Sequence, residues 1–516
     1  MIDLLFIHVP RFSGGYKPFG ECMTINLLPM GTLALADLAV RQGYRTEILH
    51  LGLEWIRTGT FSPAGHLAGR QVRVAALPLH WHQQSWDVLE AARCIKKEAP
   101  ETWVVLGGAT ASFFHREIMA SFPQVDAVIR GDAEQPLCAL MQAVTQGGGF
   151  APVPNLTWRD TNGIRENPLT YTAGAEDLER ASYANLSLLR DGARYMRSMG
   201  LPLLWSKGLS EEENRKHLNL GYSIFFLNAG RGCSGNCTWC GGGSRAQRAL
   251  NGRNGVLFRA PENVADTASE AAARGYDMLH LAFDPGPEAE EYYRDLFAVI
   301  RRRKLRMRCY FESFSLPSER FLKDFSGTFI PQGSAVALSP ETGDEAVRAR
   351  NKSFSFTNTS LMKTAAAAQG LGVTLDVFFA MGIPGETYSG LAKTAALRKD
   401  MQRRFNNIGR VWTSPISIEP ASPWQIDPEA FGIVSERKTF DDFYRASAPG
   451  GSGPGYYIPD YMEGQRLDAQ GFARLVNRER CRNHCSLHPS ASRAARPFWG
   501  RMYCRYMRFK TRGYLG

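Results

Sequence analysis

Twice along the chain, short apolar runs alternate with amphipathic segments, and this alternation restricts the fold more than any other feature of the sequence. In the first 150 residues IDLLFIHV, YRTEILHL, VRVAALPL, TWVVLGG and VDAVIRG read as strands, with helical periodicity between them in LPMGTLALADLAVRQG and WDVLEAARCIKKEAP. From Leu218 to about Pro423 the pattern recurs in six units. There SIFFLNAG, YDMLHLAF, RMRCYFESF, SAVALSP, VTLDVFFAMG and VWTSPISIEP are the strands, and PENVADTASEAAARG and EEYYRDLFAVIRRRK are two of the helices. Strand–helix alternation argues parallel sheets, which bind ligands outside the carboxyl ends of their strands. In the first region those ends fall at His8 to Phe12, Leu79 to His82, Gly107 to Ser112 and Gly131 to Glu134.

After the first strand of the second region comes RGCSGNCTWCGGGSR, Arg231 to Arg245, which sets Cys233, Cys237 and Cys240 in a CxxxCxxC array. Three thiolates at this spacing can bind three irons of one 4Fe-4S cluster, and the iron left without a thiolate marks a reactive cluster rather than an electron-storing one. The competing readings are a zinc site or three unrelated thiols. Zinc usually takes four ligands with CxxC pairs, and no fourth ligand is evident nearby. The spacing resembles the signature of radical S-adenosylmethionine (SAM) enzymes, in which the open iron chelates the amino and carboxylate groups of SAM. The resemblance extends to the apolar strand that runs into the loop and to Trp239, an aromatic residue just before the last cysteine.

A second resemblance lies upstream. LPMGTLALADLAVRQGY, VVLGGATAS and VDAVIRGDAEQPL look like the cobalamin-binding domain that precedes many radical SAM cores. Together the resemblances imply an α/β protein in four parts. A Rossmann-like, doubly wound cobalamin-binding domain spans 1–150 and a connecting segment 151–217. A partial (β/α)6 radical SAM barrel spans 218–427, and a small basic C-terminal domain, a possible substrate cover, spans 428–516. The cobalamin contacts implied are Pro29, Gly31, Thr32, His80, Trp81, His82, Gly107, Gly108, Thr110, Gly131 and Glu134, with Gly107, Gly108 and Gly131 letting backbone approach the corrin. The DxHxxG motif that supplies a histidine to cobalt in cobalamin mutases is absent, so the cobalt's lower face is covered by something else or left open. Leu79-His80-Trp81-His82 is the candidate: an imidazole could ligate cobalt, an indole could only shield it, and both histidines could equally serve as hydrogen-bonding groups.

On the SAM side the implied residues are Trp239, Asp284, Glu312, Ser339, Glu341, Arg348, Gly382 and Pro384. The family's Gly-Gly-Glu-like turn after the second strand reads here Phe283-Asp284-Pro285-Gly286-Pro287, a departure. SPETGDEAVRARN offers Ser339 and Glu341 as ribose-hydroxyl partners and Arg348 as a carboxylate clamp. GIPGET, Gly382 to Thr387, matches a turn that lies beside the adenine in the cobalamin-dependent subgroup. Each of these could instead be a capping or turn element.

Charge adds a constraint on partners. From Phe472 to Gly516 there are eleven Arg or Lys against one acidic residue, Glu479, so this tail carries +10 of the net +11 and the rest of the chain +1. Its aromatic-basic end, RPFWGRMYCRYMRFKTRGYLG, could meet an anionic substrate, a peptide leader or a membrane surface, or simply be solvated. Nucleic acid is not expected, because no recognised binding fold accompanies the charge. Cys481, His484, Cys485, His488 and Cys504 could hold a second metal, although CRNHC lacks a matching pair. No apolar run reaches the roughly 18 residues of a membrane span. MIDLLFIHVP lacks a basic leader and a cleavage site, so the ten cysteines read as reduced thiols and metal ligands in a cytoplasmic protein.

The resemblance therefore implies a cobalamin-dependent radical SAM methyltransferase. Methylcobalamin, regenerated from SAM, would methylate a carbon of a small-molecule or peptide substrate in a biosynthetic pathway, with electrons from an external flavodoxin- or ferredoxin-type donor. The same two domains also occur in enzymes that rearrange, cyclise or oxygenate without methyl transfer. A non-catalytic cobalamin-binding protein would leave the three-cysteine array without a purpose.

Overall fold

The computed structural model describes residues 1–13, 22–198, 205–206, 210, 212, 222–286, 288–449, 451 and 455–458. The basic tail, with Cys481, His484, Cys485, His488 and Cys504, lies outside them. The chain divides into two compact units. The first comprises Met1–Ser234, Gly242–Phe283 and Lys438–Ser452; the second comprises Gly235–Gly241, Asp284–Arg437 and Gly453 onward.

In the first unit, strands β1 (Ile2–His8), β2 (Arg11–Ser13), β3 (Cys22–Thr24), β4 (Thr46–His50), β5 (Val72–Pro78), β6 (Trp103–Gly107), β7 (Ala127–Ile129), β8 (Leu156–Asp160) and β9 (Gly163–Glu166) follow one another. Seven of them form one sheet in the order β4-β1-β5-β6-β7-β8-β9. The pairs from β4 to β7 are parallel, in registers such as Leu4↔Thr46 and Leu4↔Val74. Helices such as Met30–Arg41, Ser85–Glu98 and Glu134–Gln146 follow the parallel strands. Covered on both faces, β1 is buried at six of its seven positions, which is why it reads as a continuous apolar run instead of an alternating one. Among the five parallel strands the order in chain sequence is 2-1-3-4-5, and the direction of winding reverses between β1 and β5. A doubly wound sheet opens its ligand crevice at that reversal, outside the strands' carboxyl ends. Here those ends are His8-Val9-Pro10 and Pro78-Leu79-His80.

The first unit runs past the expected boundary at residue 150. Strand β8 adds antiparallel to β7, and β9 to β8, across a hairpin with Gly163 at φ +122°. Asn162-Gly163 is a turn signal of the kind that marks hairpins, but β9 is exposed at all four positions and carries no apolar pattern. The same unit holds β10 (Trp205–Ser206), antiparallel to β3, and β11 (Ile224–Phe226). It also holds the antiparallel pair β12 (Gly230–Arg231) and β13 (Leu257–Phe258), and β14 (Met278–Leu281), which is parallel to β11. Part of the expected C-terminal domain belongs here too. Helix Phe440–Ser447 seats Phe443 on His82 at 5.0 Å and Phe440 on Phe122 at 5.5 Å between ring centres, and Tyr444 stacks on Trp86 at 4.8 Å. Burial of these aromatics is what packs this helix onto the first unit.

The second unit carries the other four expected strands, β15 (Arg308–Ser313), β16 (Ala335–Glu341), β17 (Thr374–Met381) and β18 (Ile408–Pro415), paired in parallel in chain order. Alternation along β15 buries Cys309, Phe311 and Ser313, and Phe311 packs edge-on to Tyr293 of helix Ala289–Arg302 at 4.7 Å. No helix among the described residues is long and apolar enough to cross a membrane.

Candidate active site

In the first unit the loop after β5 lies at the reversal of the sheet. Gly108, at φ +99°, brings its backbone so close that a Cβ there would lie 2.9 Å from the Leu79 carbonyl carbon and oxygen. Thr110 Oγ1 donates to the His80 carbonyl at 2.9 Å, and Ala111 N to the Leu79 carbonyl at 3.2 Å. With its backbone held, His80 is exposed, its ring edge-on to Trp81 at 4.8 Å. Desolvation lowers its pKa from the ordinary value, so at neutral pH it is an uncharged nitrogen donor. Pro29 caps helix Met30–Arg41, Thr32 is buried with its N–H on the Pro29 carbonyl at 2.8 Å, and a Cβ on Gly31 would meet nothing within 4 Å.

Several expected cobalamin contacts have other employment. His82 is buried against Phe443, so it belongs to the packing of helix Phe440–Ser447. Gly131 and Gly108 are glycines because protein backbone crowds them. A Cβ at Gly131 would lie 2.9 Å from the Leu250 carbonyl oxygen, whereas Gly107 has only the Ile129 carbonyl at 3.8 Å. Glu134 pairs with Arg231, two residues before Cys233, at 2.8 Å. Nothing in the sequence pattern signalled that pair.

The loop at Ile25 and Asn26 is tied down by two histidines, of which the sequence pattern marks His8 only as a strand end and His50 not at all. His8 and His50 end the paired strands β1 and β4, with ring centres 4.7 Å apart. His8 Nε2 meets the Ile25 carbonyl at 3.0 Å and His50 Nε2 the Asn26 carbonyl at 2.7 Å, while His50 Nδ1 accepts from Leu53 N at 3.2 Å. Burial holds His8 well below the ordinary imidazole pKa and pushes His50 down to about 4.

In the second unit, Gly235–Gly241 is strapped down from two sides. Asn236 N donates to Ser353 Oγ at 2.6 Å, Thr238 N and Oγ1 donate to the Asn351 backbone and side-chain oxygens at 2.9 Å each, and Trp424 N donates to the Thr238 carbonyl at 3.1 Å. A Cβ at Gly241 would lie 2.2 Å from the Pro420 carbonyl oxygen, so only glycine fits there. Cys233, Cys237 and Cys240 are half-buried and not disulfide-bonded, and Ser353 N donates to Cys237 Sγ at 3.4 Å. Three free thiols, Cys237 and Cys240 in this unit and Cys233 in the first, with a backbone N–H directed at the Cys237 sulfur, have the donor chemistry that iron–sulfur ligation requires. Among the described residues no three Cys, His, Asp or Glu side chains are gathered into a metal-holding group, so the fit rests on donor chemistry. Trp239 lies 6.2 Å from Trp424, edge to face.

Of the expected SAM residues, Arg348 is the clearest correction. It is 1% exposed, and its guanidinium donates to the carbonyls of Pro340 (2.8 Å), Phe356 (2.6 Å) and Thr342 and to Asn358 Oδ1 (2.8 Å). With four of its five donors used on the protein and its side chain buried, it holds the loop after β16 instead of reaching out to clamp a carboxylate. Asp284 is likewise committed, accepting from Ser313 Oγ at 3.2 Å, Phe314 N at 2.5 Å and Ser315 N at 3.3 Å. The Gly382 carbonyl accepts from Tyr456 OH at 2.7 Å, and the Pro384 carbonyl from Asn351 Nδ2 at 3.2 Å. Ser339 and Glu312 are half-buried at the carboxyl ends of β16 and β15. Glu341, at φ +62°, has its pKa raised by burial while Lys352, 3.7 Å away, opposes the shift.

The model of the radical SAM superfamily matches residues 227–397, and that of the B12 binding domain residues 17–141. The chain thus carries a B12 binding domain followed by a radical SAM domain, the pair found in cobalamin-dependent radical SAM enzymes. Its cofactors are a 4Fe-4S cluster, SAM and cobalamin. Among solved structures, the chain is similar to the radical SAM methyltransferase TsrM from Kitasatospora setae, with a TM-score of 0.62 and 14% identity over 88% of this chain and 84% of that one. It is also similar to the cobalamin-dependent SAM radical enzyme OxsB, with a TM-score of 0.53 and 13% identity over 83% of this chain and 55% of that one. At such identities the likeness is one of fold. A curated relative, the anaerobic magnesium-protoporphyrin IX monomethyl ester cyclase of Rubrivivax gelatinosus, is 27% identical over 255 residues, 46% of this chain and 38% of that protein's length. The match thus spans well under half of that relative.

Proposed function

We propose that this enzyme transfers a methyl group from cobalamin to a carbon of a small-molecule or peptide substrate in a biosynthetic pathway. The observation that supports it most is the presence, in one chain, of an exposed, neutral His80 at the β1/β5 reversal and of a stretch carrying three free cysteines. A fold shared over most of both chains with a radical SAM methyltransferase agrees with this reading. When bound, the cluster and SAM supply a carbon-centred radical, and cobalamin supplies the methyl group.

In this reading Cys233, Cys237 and Cys240 hold the cluster as thiolates, and the Ser353 N–H offsets part of the charge on Cys237. The bonds from Thr238 to Asn351 keep the loop from shifting. Trp239 and Trp424 exclude water from that side. His80, on the loop after β5 with its backbone fixed by Thr110 and Gly108, would meet the corrin, and Trp81 would shield it. Ser339, Glu341 and Glu312 would be the polar groups that meet SAM, while Arg348, Asp284 and the Gly382–Pro384 turn stiffen the loops around them. Electrons come from an external donor.

A second reading, cyclisation or oxygenation without methyl transfer, is favoured by the likeness to the Rubrivivax cyclase. Replacing Cys233, Cys237 and Cys240 singly by Ser, with Cys94→Ser as control, tests the cluster assignment by iron content and electron paramagnetic resonance (EPR). Each of the three should lose the reduced-cluster signal and the control should keep it; a full cluster in any of the three refutes that ligand.

A further inference from the structure

Two carboxylates of the B12-binding domain reach the segment that carries the cysteines. Asp132 and Glu134 stand at the start of helix Glu134–Gln146, just beyond the carboxyl end of β7. Arg231, two residues ahead of Cys233, donates to Asp132 Oδ1 through Nη1 and to Glu134 Oε1 through Nη2, both at 2.8 Å. Arg253, beyond the helix Ser244–Asn251 that follows the cysteines, donates to the other oxygen of the same Asp132 and to the Ala173 carbonyl at 3.1 Å. Asp132 Oδ2 also accepts from Ala173 N at 2.9 Å. Asp132 is 6% exposed and Arg253 4%. The segment from Arg231 to Arg253 therefore begins and ends on one buried carboxylate.

Backbone geometry reinforces this closure. Gly230 and Arg231 pair with Phe258 and Leu257 across the β12–β13 ladder. Gly232, at φ +101°, passes so near that a Cβ would lie 2.5 Å from the Gly255 carbonyl oxygen. Gly131 fits as tightly beneath Leu250 and Asn251. Two guanidinium charges face two carboxylate charges in a site nearly closed to water, so removing one carboxylate leaves a buried cation without compensation.

We propose that Asp132, assisted by Glu134, is a positioning residue of the radical SAM machinery: it fastens both ends of the cysteine-bearing segment to the B12-binding domain and so sets the geometry in which the cluster is held. The part concerning the cluster rests on the ligand assignment of the preceding subsection; the fastening of the segment does not.

Hydrogen exchange on the full chain, as purified and after anaerobic reconstitution with iron and sulfide, tests both parts. Asp132→Asn keeps the size of the side chain and removes its charge. Peptides within 231–253 should exchange at least about tenfold faster than in the unmodified chain, while peptides of β1 and β5 keep their rates. After reconstitution, the EPR signal of the reduced cluster should be broadened or diminished in the variant. Glu134→Gln, which spares the Asp132–Arg253 pair, should give a smaller acceleration confined to peptides around Arg231, and it serves if Asp132→Asn does not fold. Unchanged exchange over 231–253, or an acceleration spread equally over the sheet, overturns the proposal. Because exchange is also read on the chain without cluster, a failure of the cysteine assignment shows separately, as an absent cluster in the unmodified protein.

Discussion

Acid should weaken the fold through a single imidazole in a way that can be measured. In the folded chain His50 has one arrangement that satisfies both ring nitrogens: Nε2–H donates to the Asn26 carbonyl and Nδ1 accepts from Leu53 N–H. A proton on Nδ1 destroys that acceptor and places a charge in a fully buried site beside His8. The folded-state pKa is therefore lowered to about 4 from an unfolded value of 6.5. Below pH 6.5 the unfolded chain takes up a proton that the folded chain refuses, so stability falls as pH falls through the window from 6.5 to about 4 and is fully present above it. At about 1.4 kcal/mol per pH unit, the whole window is worth about 3 kcal/mol. Urea unfolding followed by tryptophan fluorescence at pH 7.5, 6.5 and 5.5 gives the slope. His50→Gln keeps a group able to bond to the Asn26 carbonyl and removes the titration. The variant should lose less stability than the parent between pH 6.5 and 5.5, by about 1 kcal/mol, because one proton fewer is taken up on unfolding. Equal slopes in the two proteins would refute the argument.

Two further substitutions separate positioning from contact. Gly108→Ala forces a side chain into a left-handed backbone 2.9 Å from the Leu79 backbone, so it should cost about 1–3 kcal/mol and displace the loop bearing His80; thermal unfolding and corrin uptake by absorption should both report it, and normal uptake would contradict it. Arg348→Met strips the donors from three carbonyls and Asn358. It should destabilise the chain by about 2–4 kcal/mol by denaturant titration without selectively weakening SAM in the protein that remains folded; a stable chain with impaired SAM binding would restore the clamp.

What could be read in the sequence follows from which signals are local. Parallel strands buried on both faces write themselves as apolar runs, so IDLLFIHV, VRVAALPL, SAVALSP and their companions fall where strands stand. The cysteine spacing is local too. The hairpin β8–β9 was missed because its outer strand is exposed throughout and only Asn162-Gly163 marks it. Site assignments failed where a side chain's partner lies far away in sequence. Arg348 looks like a clamp until three carbonyls take it, Glu134 like a cofactor contact until Arg231, 97 residues on, claims it. His82 faces Phe443, a contact no window of sequence contains. The histidine pair His8 and His50 joins two strand ends that only the sheet brings together.

The central claim, methyl transfer by way of cobalamin in a chain that also holds a radical SAM cluster, is met most directly by one anaerobic experiment that needs no substrate. The protein is reconstituted with iron, sulfide and cobalamin, then given SAM and reductant, while corrin absorption is followed and products are weighed by mass spectrometry. The account predicts bound corrin that becomes methylated as about one S-adenosylhomocysteine per corrin appears, together with 5′-deoxyadenosine from the cluster. Corrin that binds and is reduced yet never takes a methyl group from SAM would contradict methyl transfer and favour the cyclase-like reading.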